Sequence, residues 1–136
     1  MSDREPAGRL LDFELLDCLS ELEEGAGNPY MAQLLEEFAA DARTAIDRMR
    51  SLADCGKACA IAREAHRLRG SSGSLGAPGL AQGYGEIEMR ARAGATRVLP
   101  VQIEATARLL DATMEALREF MRKRSPQTPR DSVLGP

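Results

Sequence analysis

Residues 31–52 carry the longest unbroken periodic pattern of the chain: Met31, Leu34, Leu35, Phe38, Ala42, Ala45, Ile46, Met49 and Leu52. A row recurring at steps of three and four lines one face of an amphipathic helix, and that face has to be buried against other elements. The rest of the sequence supplies matching rows. A first helix is expected from about Gly8 to Glu24, with Leu11, Leu15, Cys18, Leu19 and Leu22 on one side, ended by Gly25 to Asn28. Asn28 reads as an N-cap, with Pro29 at the first position of the long second helix, which runs to about Ala53. After a break at Asp54 to Gly56, a third helix is expected from about Lys57 to Ser74, burying Ala58, Ile61, Ala65, Leu68 and Ser72, with Leu75 continuing the row. Gly76 and Ala77 form a connection, and Pro78 opens a fourth helix that buries Leu80, Tyr84, Ile87 and Ala91, runs to about Ala93 and is closed by Gly94. Gly83 and Gly85 weaken that helix, which predicts irregularity or close backbone packing around Tyr84. A fifth helix, from about Leu99 to Lys123, carries Leu99, Ile103, Thr106, Leu110, Thr113, Leu117 and Phe120 in phase.

Long amphipathic helices joined by short links pack antiparallel, so the expected fold class is all-α: an up-and-down four-helix bundle with an additional N-terminal helix. A chain of 136 residues suffices for one such core. With 4% aromatic residues and no Trp, the core has to be aliphatic. The expected domain is residues 1–124. Residues 125–136 hold three prolines and little apolar content, which predicts a mobile tail and a dispensable terminus rather than a docking peptide. One bundle accounts for all the apolar rows, so a monomer is expected.

Composition then narrows the function. A formal net charge of −3 argues against a general nucleic-acid binder, and no zinc-finger or RNP-like spacing occurs. The three cysteines are odd in number and scattered, which suits reduced thiols in the cytoplasm. Cys55 and Cys59 are four apart, but with a single histidine they make a poor metal set, so neither metal nor cofactor is expected on this chain. No apolar run approaches about 18 residues and the first ten residues contain no signal-peptide core, which predicts a soluble protein that does not enter a membrane.

The third helix holds the one histidine, His66. It follows Ala65, a member of the buried row, and is therefore turned about 100° off the core. Its helical neighbours are Cys59, Ala62, Arg63, Arg69, Gly70 and Gly73. Each glycine in a helix interior costs about 1 kcal/mol relative to alanine, so Gly70 and Gly73 leave room beside the imidazole for a reason. A neutral imidazole is a good nucleophile near pH 7, and one that accepts a phosphoryl group needs open surroundings. Arg69, on the same face, would set a cation beside the phosphoryl oxygens. The plainer reading, a boundary histidine on a solvated helix, stands beside this one at the level of spacing alone.

The run Ala65-His66-Arg67-Leu68-Arg69-Gly70-Ser71-Ser72-Gly73-Ser74-Leu75-Gly76-Ala77, continued by Leu80, Ile87-Glu88, Arg92 and Gly94, resembles the histidine-containing phosphotransfer (HPt) domains of two-component phosphorelays. The family pattern of His, any residue, Leu, Lys or Arg, Gly and two small residues, then an apolar residue before Gly-Ala, is met at His66, Leu68, Arg69, Gly70, Ser71, Ser72, Leu75, Gly76 and Ala77. The resemblance spans roughly Phe13 to Phe120 and is strong from Ala65 to Gly94. It implies the same helical bundle and a phosphoryl group carried on His66 and exchanged with the aspartate of a receiver domain. Receiver domains of response regulators or hybrid kinases would be the partners, with Mg²⁺ expected in the receiver and none here. It also implies a landing surface at Ala62, Gly70 and Gly73 with a positive rim at Arg63 and Arg67, although these two arginines also suit plain solvation and pairing with Glu64.

Helix heights nominate a partner for the imidazole. His66 lies about nine residues before the turn and Glu88 about eleven after it, so at about 1.5 Å per residue they stand level. Glu88 also occupies the acidic position of the family pattern, which suggests that it takes the Nδ1 proton and leaves Nε2 as nucleophile; a solvated glutamate is the plainer alternative. The sequence departs from the family at Arg69, where Lys is more usual, and at Gly83, Tyr84 and Gly85. No ATP-binding motif or glycine-rich nucleotide loop is present, so the chain is expected to be a carrier without enzymatic activity of its own. Two rivals remain open here: a phosphorylation-independent adaptor that binds a receiver or kinase, and, more weakly, a metal hydrolase or cysteine enzyme.

Overall fold

A computed structural model describes residues 9–24 and 30–124. Within them are α1 (Phe13–Glu24), α2 (Tyr30–Asp54), α3 (Ala58–Ser74), α4 (Pro78–Arg92) and α5 (Leu99–Arg124), with a single 3₁₀ turn, Thr96–Val98, leading into α5. The described residues form no strand. The expected break at Gly25 to Asn28, the Asn28 cap with Pro29, the side chain of Leu22 and the tail 125–136 lie outside the described residues.

The four longer helices close a ring: α2 packs on α3 and α5, and α4 packs on the same two from the other side. The apolar part of the interior is aliphatic apart from the rings of Phe38 and Tyr84. Leu35, Met49, Ile61, Leu68, Leu80, Ile87, Leu99, Ile103, Leu110 and Met114 are sealed from solvent. Each such side chain contributes about 1.5–3 kcal/mol by leaving water. The α2 row is buried as its spacing predicts, except that Leu34 and Leu52 sit half-buried at its border. Met114, absent from the expected α5 row, joins the core, while Phe120 is half-buried with its ring centroid 6.1 Å from that of Phe13. No helix among the described residues is long and apolar enough to cross a membrane.

Three connections share one design. Gly56, Gly76 and Gly94 have φ of +69°, +83° and +77°, a left-handed conformation that costs a residue with a Cβ about 1–2 kcal/mol. In each, the residue after the glycine donates its N–H five residues back: Lys57 to Leu52 O (2.9 Å), Ala77 to Ser72 O (2.9 Å) and Ala95 to Arg90 O (2.9 Å). That same residue occupies the N-cap position of the next helical segment, so three residues both end a helix and start its successor.

The start of α1 corrects the sequence reading. In place of a helix from about Gly8, residues 9–12 are non-helical and α1 starts at Phe13. Asp12 caps it, its Oδ1 accepting the Leu15 N–H at 3.1 Å, while the Asp12 N–H donates to Gly76 O at 2.8 Å. This segment crosses the α3–α4 turn so closely that a Cβ on Gly79 would lie 2.7 Å from Arg9 O, and one on Gly76 would lie 3.0 Å from Leu16 Cδ2. Because the helix starts late and docks on this turn, its buried side is Leu16 and Ser20, with Leu15 and Leu19 half-buried. Cys18, expected inside, is exposed, and Leu11 is buried from outside the helix. The predicted irregularity of α4 is absent, since the helix is unbroken; the predicted close packing is present. A Cβ on Gly83 would stand 3.2 Å from Thr106 Oγ1 and 3.3 Å from Leu109 Cδ2, so this glycine brings α4 against α5.

Candidate functional site

The α3–α4 hairpin holds the residues of interest. The buried row of α3 faces the ring interior, and His66, just off that row, has a side chain 60% exposed. Its Nδ1 lies 3.0 Å from Oε2 of Glu88 on α4. An ionised carboxylate can only accept, so a neutral ring donates from Nδ1 to Glu88 and turns Nε2 outward.

Glu88 is the electrostatic centre of the site. Its side chain is only 10% exposed, which would be costly for a lone carboxylate, but cations surround it. Arg92, one turn further along α4, donates to the same Oε2 from Nε at 3.1 Å and approaches it with Nη2 at 3.0 Å. Arg69 comes from α3 and places Nη1 3.5 Å from Oε1. Burial pushes the Glu88 carboxyl up, but the hydrogen bonds from Arg92 and His66 and the charge of Arg69 outweigh it, holding the group below the ordinary carboxylate range. The carboxylate therefore stays charged and keeps its grip on the imidazole.

Around this centre the surface is open. An added Cβ on Gly70 or Gly73 would meet nothing within 4 Å, and both residues are exposed. Arg63 is exposed on the same side. Two expected members of the landing surface are placed elsewhere. Ala62 is 1% exposed, because α4 packs over that flank of α3 and widens the buried arc beyond the apolar row. Arg67 turns away from His66 toward α2, where Asp41 binds it (2.8 Å) beside Glu64 of its own helix (2.8 Å), and these bonds raise its already high guanidinium pKa further. Its charge is thus matched inside the molecule. The role of Arg92 as a clamp on Glu88 was not assigned from sequence; the Glu-Arg pair four apart on one helix was the signal for it.

What this arrangement can do chemically is present a nucleophilic nitrogen on an open surface, with the opposite ring nitrogen anchored and two half-exposed guanidiniums nearby. Among the described residues no group of three or more His, Cys, Asp and Glu side chains is gathered to hold a metal ion.

Comparison with known proteins meets this geometry from another direction. The family model of the Hpt domain matches residues 33–120. Among solved structures, the histidine-containing phosphotransfer protein B (HptB) of Pseudomonas aeruginosa PAO1 is similar, with a TM-score of 0.73 and 27% sequence identity over 85% of this chain and 96% of that one. No curated protein matches the chain. With the family model spanning well over half of its length and centred on the α3–α4 hairpin, the chain belongs to the Hpt domain family, the histidine phosphotransfer domains of two-component phosphorelays.

Proposed function

We propose that this protein is a phosphoryl carrier that receives and returns a phosphoryl group at His66 Nε2, exchanging it with the aspartate of receiver domains. The observation that carries the reading is the 3.0 Å contact between His66 Nδ1 and a buried, charged Glu88 beneath a ring that is itself 60% exposed. Nε2 attacks phosphorus in line as the P–O bond to the receiver aspartate breaks. The aspartate leaves as a carboxylate with the bonding pair. The Nδ1 proton stays where it is, and Glu88 balances the positive charge that the ring acquires. Arg69 faces the transferring oxygens, and Gly70 and Gly73, with Arg63 at the rim, form the surface on which the receiver lands. Mg²⁺ belongs to the receiver and supplies charge neutralisation there; this chain binds no cofactor and, without an ATP site, acts as a carrier rather than a kinase. The supporting scaffold is an antiparallel four-helix bundle with α1 as the additional N-terminal helix, working as a cytoplasmic monomer.

Incubation with a phosphorylated receiver domain tests the reading. An acid-labile, alkali-stable label should appear on the wild type and be absent from His66→Gln. A wild type that stays unlabelled against several receivers, while still binding them, would replace the carrier by a phosphorylation-independent adaptor.

A further inference from the structure

Gly85 has no part in the packing that explains Gly83. The two glycines are two residues apart on α4 and therefore point to opposite sides, Gly83 toward α5 and Gly85 toward α3. A Cβ on Gly85 would lie 3.3 Å from Cδ of Arg69 and 3.8 Å from its Nη1. The Arg69 stem thus lies along the bare backbone of α4, and this path delivers Nη1 to 3.5 Å from Glu88 Oε1, one turn beyond Gly85. Glycine in the middle of a helix costs about 1 kcal/mol, and here the missing side chain provides the trough in which a long guanidinium side chain can lie flat beside the imidazole.

We propose that Gly85 is a positioning residue that seats Arg69 against Glu88, so that its guanidinium faces a phosphoryl group on His66. The proposal rests on the carrier reading for its consequence and on the Arg69, Gly85 and Glu88 geometry for its substance. Gly85 touches no reacting atom and acts through Arg69. The pairing also accounts for an Arg where the pattern more often has Lys: the planar fork needs a wider trough than an ammonium does.

The test uses the full chain, phosphoramidate as a small phosphodonor, and the variants Gly85→Ala and Gly85→Leu, each in the wild-type and the Arg69→Ala background. Labelling of His66 is followed by ³¹P NMR and titration of the Glu88 carboxylate by ¹³C NMR. Labelling should slow about threefold in Gly85→Ala and about tenfold in Gly85→Leu, the scale of losing one charge-assisted contact. Glu88 should titrate at higher pH in Gly85→Leu, because the Arg69 charge is withdrawn. Both effects should vanish when Arg69 is alanine, and Gly85→Ala should melt no lower than the wild type, since alanine favours the helix. An unchanged Glu88 titration in Gly85→Leu, or a rate loss that persists in the Arg69→Ala background, would overturn the seat. A wild type that takes no label at His66 overturns the carrier reading instead, and the Glu88 titration still decides the seat.

Discussion

On the α2–α5 side of the molecule, exposed arginines pair with carboxylates across the helix boundary, Arg50 holding Asp47 of its own helix as well. Arg50 binds Glu104 through Nε and Nη2 at 2.6 and 2.8 Å, Arg118 reaches Glu36 at 3.2 and 3.3 Å, and all four side chains are largely in solvent. On the α3–α4 side, one carboxylate with a side chain 10% exposed serves His66, Arg69 and Arg92 together. The first arrangement is saturated and offers an incoming anion little. The second is rich in positive charge beside an exposed nitrogen, and in the proposed function a phosphoryl group completes its neutralisation. The same residue types therefore serve as surface clasps in one place and as a receptive site in the other; burial and stoichiometry make the difference.

The contrast can be broken at several points. The largest effect is expected from Gly70→Gln, which puts a long side chain on the open surface one turn from His66. Transfer to a receiver should fall about thirtyfold or more, as the loss of a central contact worth about 2 kcal/mol does, while the melting temperature holds or rises because glycine leaves a helix. Stopped-flow or gel transfer rates beside a thermal melt check it, and an unchanged rate would remove the landing surface from the account.

Glu88→Gln keeps the shape and removes the charge, so labelling of His66 should slow about tenfold. Its pH signature is directional. The folded-state pKa of Glu88 lies below its ordinary value of 4.5, so ionised Glu88 stabilises the fold above that value, and the contribution is lost as pH falls through the depressed folded-state pKa. Acid unfolding followed by circular dichroism should therefore be less steep in Glu88→Gln below about pH 4.5. Glu36 and Glu104 are lowered as well, by Arg118 and Arg50. Their share should disappear in about 1 M salt, whereas that of Glu88, shielded from solvent, should persist. Equal salt sensitivity of the two sets would erase the comparison.

The smallest effect belongs to the saturated side. Arg118→Ala should leave transfer rates unchanged and the melting temperature within about 2 °C, as exposed ion pairs do. A clear fall in transfer would show that the α2–α5 face takes part in docking.

Helix period made the four long helices legible in the sequence, and counting along one hairpin made the meeting of His66 with Glu88 legible too, since both depend on local geometry. What escaped depends on residues distant in the chain. The α1 start is decided by Gly76 and Gly79, whose missing side chains let residues 9–12 lie across the α3–α4 turn. Ala62 is buried because α4 leans toward that flank, and Arg67 is claimed by Asp41 on α2; both follow from how far α3 is rotated about its axis, which an apolar row defines only to within a broad arc. Gly85 reads as a weakness of α4 in the sequence because the Arg69 stem that lies against it belongs to another helix.

The three glycine turns have a consequence for how the chain reaches this structure. Because α2, α3 and α4 are each followed after three residues by the next helical segment, the ring's contacts along α2–α3, α3–α4 and α4–α5 are made by immediate chain neighbours. Within the ring of described helices, the seam between α2 and α5 is the one that joins distant sequence, with Arg50 and Glu104 separated by 54 residues and Arg118 and Glu36 by 82. Within the ring, loop-closure entropy is thus concentrated at one seam, and the hairpin that carries His66 lies on the side that local contacts can assemble.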